Sequence, residues 1–113
     1  MSLKGINFSI DSGDSLTVGY TLTESDGSTL DLTGATVKFL AHLYGTPKIT
    51  KDTTAGISVT DAANGKIDVV FVPADTADLI GELSYEIKVF DAQGNGNHVV
   101  TDSKMTINKT YLK

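Results

Sequence analysis

Apolar and polar residues alternate along most of the chain, which is the pattern of β-strands with one face buried. Every second residue is apolar over residues 16–22, 35–43, 67–71 and 83–89. Shorter or less regular stretches of the same kind lie at 6–10, 48–53, 57–61 and 99–111. The period places Tyr20 and Tyr85 among the inward residues. The sequence therefore predicts an all-β fold.

Turn residues separate these stretches. Asp26 and Gly27 predict a β-hairpin reversal, because glycine adopts positive φ without steric cost and aspartate tolerates it. Residues 62–65 (Ala-Ala-Asn-Gly) predict a second hairpin, and the run 44–47 (Tyr-Gly-Thr-Pro) is expected to break a strand. Residues 73–79 predict a single helical turn that crosses between sheets.

The spacing of strands and turns is typical of a particular architecture. Seven or eight short strands with glycine and asparagine turns favour an immunoglobulin-like antiparallel β-sandwich, with one short helical turn near 74–79. At 113 residues the chain is predicted to form one domain, 1–113. Residues 1–5 are expected to be disordered or to derive from an expression vector.

Several blocks together resemble the small β-sandwich domain at the N-terminus of phage upper baseplate proteins. They are Gly-Asp-Ser-Leu-Thr at 13–17, Ser-Asp-Gly-Ser at 25–28, Asp-Leu-Thr-Gly-Ala-Thr-Val at 31–37, Asp-Ala-Ala-Asn-Gly-Lys at 61–66, Pro-Ala-Asp-Thr-Ala at 73–77 and Tyr-Glu-Ile-Lys-Val at 85–89. The resemblance covers nearly the whole chain, but its motifs are turn and strand patterns. It implies a β-sandwich that attaches a protein to the baseplate core.

Composition narrows the class of partner. The net charge is −5 and all nine basic residues are lysine, which argues against nucleic acid, because phosphate recognition favours a clustered basic face with arginine. No apolar run approaches the length of a membrane span, so no membrane contact is expected. The absence of cysteine excludes a disulfide framework and a thiolate nucleophile.

The chain offers little that predicts chemistry. His42 and His98 have no neighbours at metal-ligand spacing, and a zinc site needs three or four ligands. The aspartate-rich loops at 11–14 and 91–97 raise calcium binding as an alternative. However, Asp61, Asp75 and Asp91 lie where a turn is predicted, and a short carboxylate there accepts hydrogen bonds from nearby backbone amides. We therefore expect no catalytic, cofactor-binding or metal-binding residues, no cofactor, and no enzymatic activity.

Two functions remain as hypotheses. The resemblance favours a structural or assembly module of a phage or prophage tail or baseplate, made in the bacterial host cytoplasm and located in the virion. Its partners would be other tail or baseplate proteins, and a homo-oligomer is left open. The alternative is an immunoglobulin-like spacer, adhesion or ligand-binding module of a bacterial surface or secreted protein.

One surface is predicted to make protein contacts. Leu40, His42, Tyr44 and Pro47 place apolar groups on the outer face of a strand that ends at an irregular edge. We call these four residues the hairpin patch. The alternative is that Leu40 and Tyr44 only cover the rim of the fold.

Overall fold

The computed structural model describes residues 3–24 and 27–111 of the chain. The polypeptide is almost entirely β-structure, and its strands are β1 (Leu3–Lys4), β2 (Phe8–Asp11), β3 (Leu16–Thr21), β4 (Thr36–Leu43), β5 (Thr46–Asp52), β6 (Ile57–Asp61), β7 (Lys66–Phe71), β8 (Gly81–Phe90) and β9 (Gly96–Asn108). A 3₁₀ turn at Ala62–Asn64 links β6 to β7, and one helical turn, α1 (Pro73–Thr76), links β7 to β8. No helix in these described residues is long and apolar enough to cross a membrane.

The strands form two sheets that face each other. The larger sheet has the order β1-β9-β8-β4-β5, with β2 also paired to β9, and the smaller has the order β3-β7-β6. Strand β7 passes to β8 in the opposite sheet through α1, as the sequence predicts for residues 73–79. This connectivity is that of an immunoglobulin-like sandwich, in which the chain crosses between the two sheets several times, here from β2 to β3, β3 to β4, β5 to β6 and β7 to β8.

The core lies between the sheets, and alternation in each strand fills it. Strand β8 buries every second residue from Leu83 to Val89, and β7 does the same from Ile67 to Phe71. The rings of Phe39 and Phe71 meet edge to face across the interior at 5.5 Å between centroids. Both Tyr20 and Tyr85 are buried, which confirms their predicted inward orientation.

The N-terminal edge differs from the predicted antiparallel arrangement. Both β1 and β2 pair with β9 in parallel. The pairing is interrupted between β1 and β2 because β9 bulges at Asp102, which has φ +51°. Beside the bulge, the Gly5 amide donates a hydrogen bond to the Asp102 carbonyl. Residues 3–24 and 27–111 thus contain nine strands where seven or eight were predicted, since one edge is split in two. Leu3 and Lys4, within the stretch expected to be disordered or vector-derived, pair with β9.

A hairpin at Asp26 and Gly27 would pair the strands on either side of it, β3 and β4, and this part of the prediction is wrong. Asp26 lies outside the described residues; Gly27 has φ +87° and its amide donates to the Glu24 carbonyl at 2.9 Å. However, β3 pairs with β7 whereas β4 pairs with β8 and β5. Among the described residues the reversal is spanned by an isolated bridge between Thr23 and Thr29 and by two backbone hydrogen bonds beside it, Glu24 to Ser28 and Leu30 to Leu22. The two alternating stretches lie in different sheets because each buries its apolar face against the other.

Candidate functional site

The hairpin patch lies at the end of a tight hairpin between β4 and β5. The break predicted at residues 44–47 is confirmed, because β4 ends at Leu43 and the chain reverses within two residues, Tyr44 at φ +51° and Gly45 at φ +85°. Positive φ at both central positions is the requirement of a type I′ turn, whose twist matches that of the paired strands. Pro47 therefore lies inside β5, where an edge strand tolerates a missing amide hydrogen.

The structure brings the four residues of the patch to one end of the larger sheet. His42 is directly opposite Pro47, so the two side chains share a face, and Leu40 lies two residues back on that face. Leu40 and His42 are half-buried, and Pro47 is exposed. Tyr44 is 99% exposed and so does not cover the rim of the fold.

The imidazole of His42 is held by the turn. Its Nδ1 accepts a hydrogen bond from the backbone amide of Gly45 at 3.1 Å. A nitrogen that accepts carries no proton, so in the neutral ring the proton is on Nε2. This bond orients the ring and leaves Nε2 as a donor for groups outside the turn.

A polar groove of about 410 Å³ continues from His42 across the outer face of β8 and β9. Lys104 Nζ donates to Ser84 Oγ at 2.7 Å, and His98 Nε2 lies 3.5 Å from Glu86 Oε1. The groove follows the bulge of β9, where the register shifts opposite Glu86. An apolar hairpin end beside a polar groove has the mixed character of many protein-protein interfaces.

A second cleft, of about 480 Å³, lies between the loop 23–35 and the loop after β8. Its carboxylates are already engaged. Asp31 Oδ1 accepts from the amide and the hydroxyl of Thr33, and Asp91 Oδ1 accepts from the amides of Gln93 and Asn95. The bonds from Thr33 hold the pKa of Asp31 below its usual value. Sequence reasoning missed this cleft because its two walls are about sixty residues apart and neither carries a motif.

The aspartates behave as turn acceptors in the same way elsewhere. The pKa of Asp52 is lowered because its carboxylate accepts from the hydroxyl and amide of Thr54, and also from the amide of Ala55. Asp61 accepts from the Asn64 side-chain amide, and Asp75 accepts from the Val72 amide. Among residues 3–24 and 27–111, no three histidine or acidic side chains converge on a metal position.

The four tyrosines divide into two buried and two exposed. Burial raises the pKa of Tyr20 far above its usual range, and its hydrogen bond to Tyr85 adds to the effect. Tyr44 and Tyr111 are exposed, and the strands that precede them, β4 and β9, are separated in the sheet by β8. Tyr111 instead lies beside Lys109, whose Nζ is 5.2 Å from its ring centroid.

Comparison with known proteins adds no relative: no protein-family model and no curated protein matches this chain.

Proposed function

We propose that this chain is a non-enzymatic structural module of a phage or prophage tail or baseplate, which acts through protein-protein contacts in the virion. The resemblance of its turn and strand blocks to the N-terminal domain of upper baseplate proteins suggests the setting. The observation that carries the contact role is the hairpin patch. Tyr44 is fully exposed on the two-residue turn between β4 and β5, at the same end of the sheet as exposed Pro47 and half-buried Leu40.

Tyr44 lowers the stability of the free protein and buries no surface in return. A tyrosine that is 99% exposed gains nothing for folding, and a left-handed backbone at a tyrosine is unfavourable by about 1 kcal/mol or more. Tyrosine is enriched among interface anchors because it buries a large ring at a low cost in side-chain entropy. The proposed partners are other tail or baseplate proteins.

The location is tested on particles. A prophage is induced in the source bacterium, tailed particles are banded on a density gradient, and the chain is quantified by mass spectrometry. We expect several copies per particle. Absence from intact tailed particles, with the chain on the cell surface or in the medium, would instead support the immunoglobulin-like spacer or adhesion module.

The patch is tested by complementation of a strain that lacks the gene for this chain. We expect Leu40→Asp with Tyr44→Ala to reduce incorporation into particles at least tenfold. The matched control is Ile80→Asp with Tyr111→Ala, which makes the same chemical changes at exposed residues elsewhere; Ile80 is 54% and Tyr111 89% exposed. Equal incorporation of both variants, at unchanged melting temperature, would refute the patch and leave the virion location standing.

A further inference from the structure

The edge strand β3 lacks the features that protect the other sheet edges. Strand β5 carries Pro47 and Lys48, β6 has a register irregularity before Asp61, and the N-terminal edge is short and split. By contrast β3 pairs with β7 over six residues without a register shift, and its sequence, Leu-Thr-Val-Gly-Tyr-Thr, has no charge and no proline. Uncharged edges with an unbroken register are templates for pairing with another strand.

The backbone groups of β3 that face outward can be identified from the ladder. The Leu22 amide donates to the Gly65 carbonyl at 2.8 Å, in register with β3 and β7. Hydrogen-bonded pairs alternate along an antiparallel ladder, so Leu16, Val18 and Tyr20 are the β3 residues bonded to β7. The hydrogen bond from the Val70 amide to the Gly56 carbonyl is consistent with this assignment. It shows that Val70 and the β7 residues alternating with it direct their backbone groups toward β6, which leaves the others to bond β3.

The remaining three residues of β3 therefore direct their amides and carbonyls away from the sheet. They are Thr17, Gly19 and Thr21, and all three are exposed. No hydrogen bond joins them to groups outside the ladder within the described part of the chain. The edge thus offers three residues with donor and acceptor both free.

The inward face of β3 is also incompletely covered. Leu16 and Val18 point toward the core and pack against it, but both remain half-exposed. Their counterparts on the central strand β7, Phe71 and Val69, are fully buried. Leu16 and Val18 remain accessible because no strand lies beyond β3 in this sheet.

We propose that the occupant of this edge is β3 of a second copy of the chain, paired antiparallel about a two-fold axis at Gly19. Gly19 then pairs with its equivalent and Thr17 with the partner's Thr21, so every free backbone group of these residues is satisfied. The alternation of faces is preserved, because both strands keep their apolar residues inward. Two three-stranded sheets become one six-stranded sheet.

A second copy fits better than a foreign segment for two reasons. The partner strand is already extended on a rigid sandwich, whereas an unstructured segment would lose about 1–2 kcal/mol of backbone entropy per ordered residue. Strand β3 itself has no charge to repel its equivalent. The closest acidic side chain is Asp68 on β7, opposite Gly19, and its Oδ1 lies 3.3 Å from the position that a Gly19 Cβ would take. The two Asp68 carboxylates would therefore lie near the two-fold axis, and their repulsion is a reason to expect a weak dimer.

The test uses sedimentation equilibrium of the full chain from about 10 µM to 1 mM, since an edge pairing is smaller than a standard interface and the dimer should be weak. We expect dimer at the upper concentrations. Thr17→Lys with Thr21→Lys places like charges opposite each other and should weaken dimerisation at least tenfold. The matched control is Ser58→Lys with Thr60→Lys on the exposed face of β6, the other edge of the same sheet, which should dimerise as the wild type does.

A charge swap makes the test specific to this geometry. Thr17→Glu with Thr21→Glu should also be monomeric, but an equimolar mixture of the lysine and glutamate variants should form a heterodimer, because each lysine then meets a glutamate. Amide exchange of Thr17, Gly19 and Thr21 should slow at least fivefold at dimer concentrations in the wild type. A chain that stays monomeric to 1 mM, or a dimer that survives both variants, would overturn the proposal.

Discussion

The hydroxyl of Tyr20 donates a hydrogen bond to the hydroxyl of Tyr85 over 2.9 Å, joining β3 of the smaller sheet to β8 of the larger across the core. Tyr85 in turn donates to the Ile6 carbonyl, between β1 and β2. The two rings meet edge to face at 6.4 Å between centroids. Three segments that are far apart in sequence are thus linked by two consecutive hydrogen bonds, of which the first is buried and the second partly buried.

The two tyrosines should differ in what their hydroxyls contribute to stability. Tyr20→Phe removes one bond and leaves Tyr85 bonded to Ile6, so we expect a loss of about 1 kcal/mol in the free energy of unfolding. Tyr85→Phe leaves both the Tyr20 donor and the Ile6 carbonyl without that partner, and we expect a loss of about 2–3 kcal/mol. Urea denaturation measures the free energy of unfolding of both variants. Equal losses would contradict the arrangement in which Tyr20 donates to Tyr85 and Tyr85 donates to Ile6.

The same tyrosines should make the protein sensitive to alkali. Burial raises the pKa of both above the unfolded value, so above about pH 10 the unfolded state holds fewer protons and stability falls as pH rises. Each tyrosine contributes a slope of at most about 1.4 kcal/mol per pH unit. We expect Tyr20→Phe to flatten the alkaline limb of stability against pH, measured by denaturation between about pH 9 and 11. The exposed control, Tyr111→Phe, should leave the limb unchanged.

Replacing a glycine that has positive φ can cost stability through backbone conformation and through a steric clash of the added Cβ, and Gly65 and Gly94 allow the two costs to be measured separately. Both have positive φ, +70° and +87°. A Cβ on Gly65 would lie 2.5 Å from the Leu22 carbonyl oxygen, whereas one on Gly94 meets nothing within 4 Å. We expect Gly94→Ala to cost about 1 kcal/mol from backbone conformation alone, and Gly65→Ala to cost about 3 kcal/mol or more. Thermal or urea denaturation of both variants checks this, and similar costs would refute the steric term.

The ion pair of Lys51 and Asp75 should fasten the helical turn α1 to strand β5. Lys51 Nζ lies 2.6 Å from Asp75 Oδ2, with the two side chains 10% and 19% exposed, and it also lies above the Phe71 ring. Lys51→Met leaves the carboxylate poorly solvated, so we expect a loss of about 2–3 kcal/mol, with a smaller loss when Asp75→Asn is combined with it.

The surface pair of Lys4 and Asp102 is the matched control. These side chains are 65% and 74% exposed, and their charges are 3.5 Å apart. Exposed pairs contribute little, so Lys4→Met should change stability by less than about 0.5 kcal/mol. A double-mutant cycle measures each pair. Comparable coupling energies in the two pairs would show that burial does not strengthen the pair at Lys51.

The sequence predicted the faces of the strands well and their partners poorly. The alternation over residues 83–89 predicts a strand with one buried face, and β8, which lies between β4 and β9, buries the expected residues. Residues 62–65 were expected to close a hairpin, and Gly65 ends the 3₁₀ turn between β6 and β7 with φ +70°. By contrast, the strands on either side of the reversal at Asp26 and Gly27 do not pair with each other. The strands on either side of the break at 44–47 do pair, as a tight hairpin.

The hairpin patch was predictable only in part. Leu40 and His42 could be placed on an outer face from alternation, because the period of a strand is local. The pairing of His42 with Pro47 and the full exposure of Tyr44 depend on a two-residue turn with a tyrosine at positive φ, which is a rare residue for that conformation. The role of the patch in protein contact stays a prediction.

By itself the sequence determined which residues are buried and where the chain turns, because side-chain period and glycine conformation are properties of a few neighbouring residues. Only the tertiary structure decided that β3 pairs with β7, that β2 runs parallel to β9, and that the outer edge of β3 is left free. The physical reason is that strands pair through backbone amides and carbonyls, which are the same at every residue. The choice of partner is therefore made by how two whole sheets bury their apolar faces together.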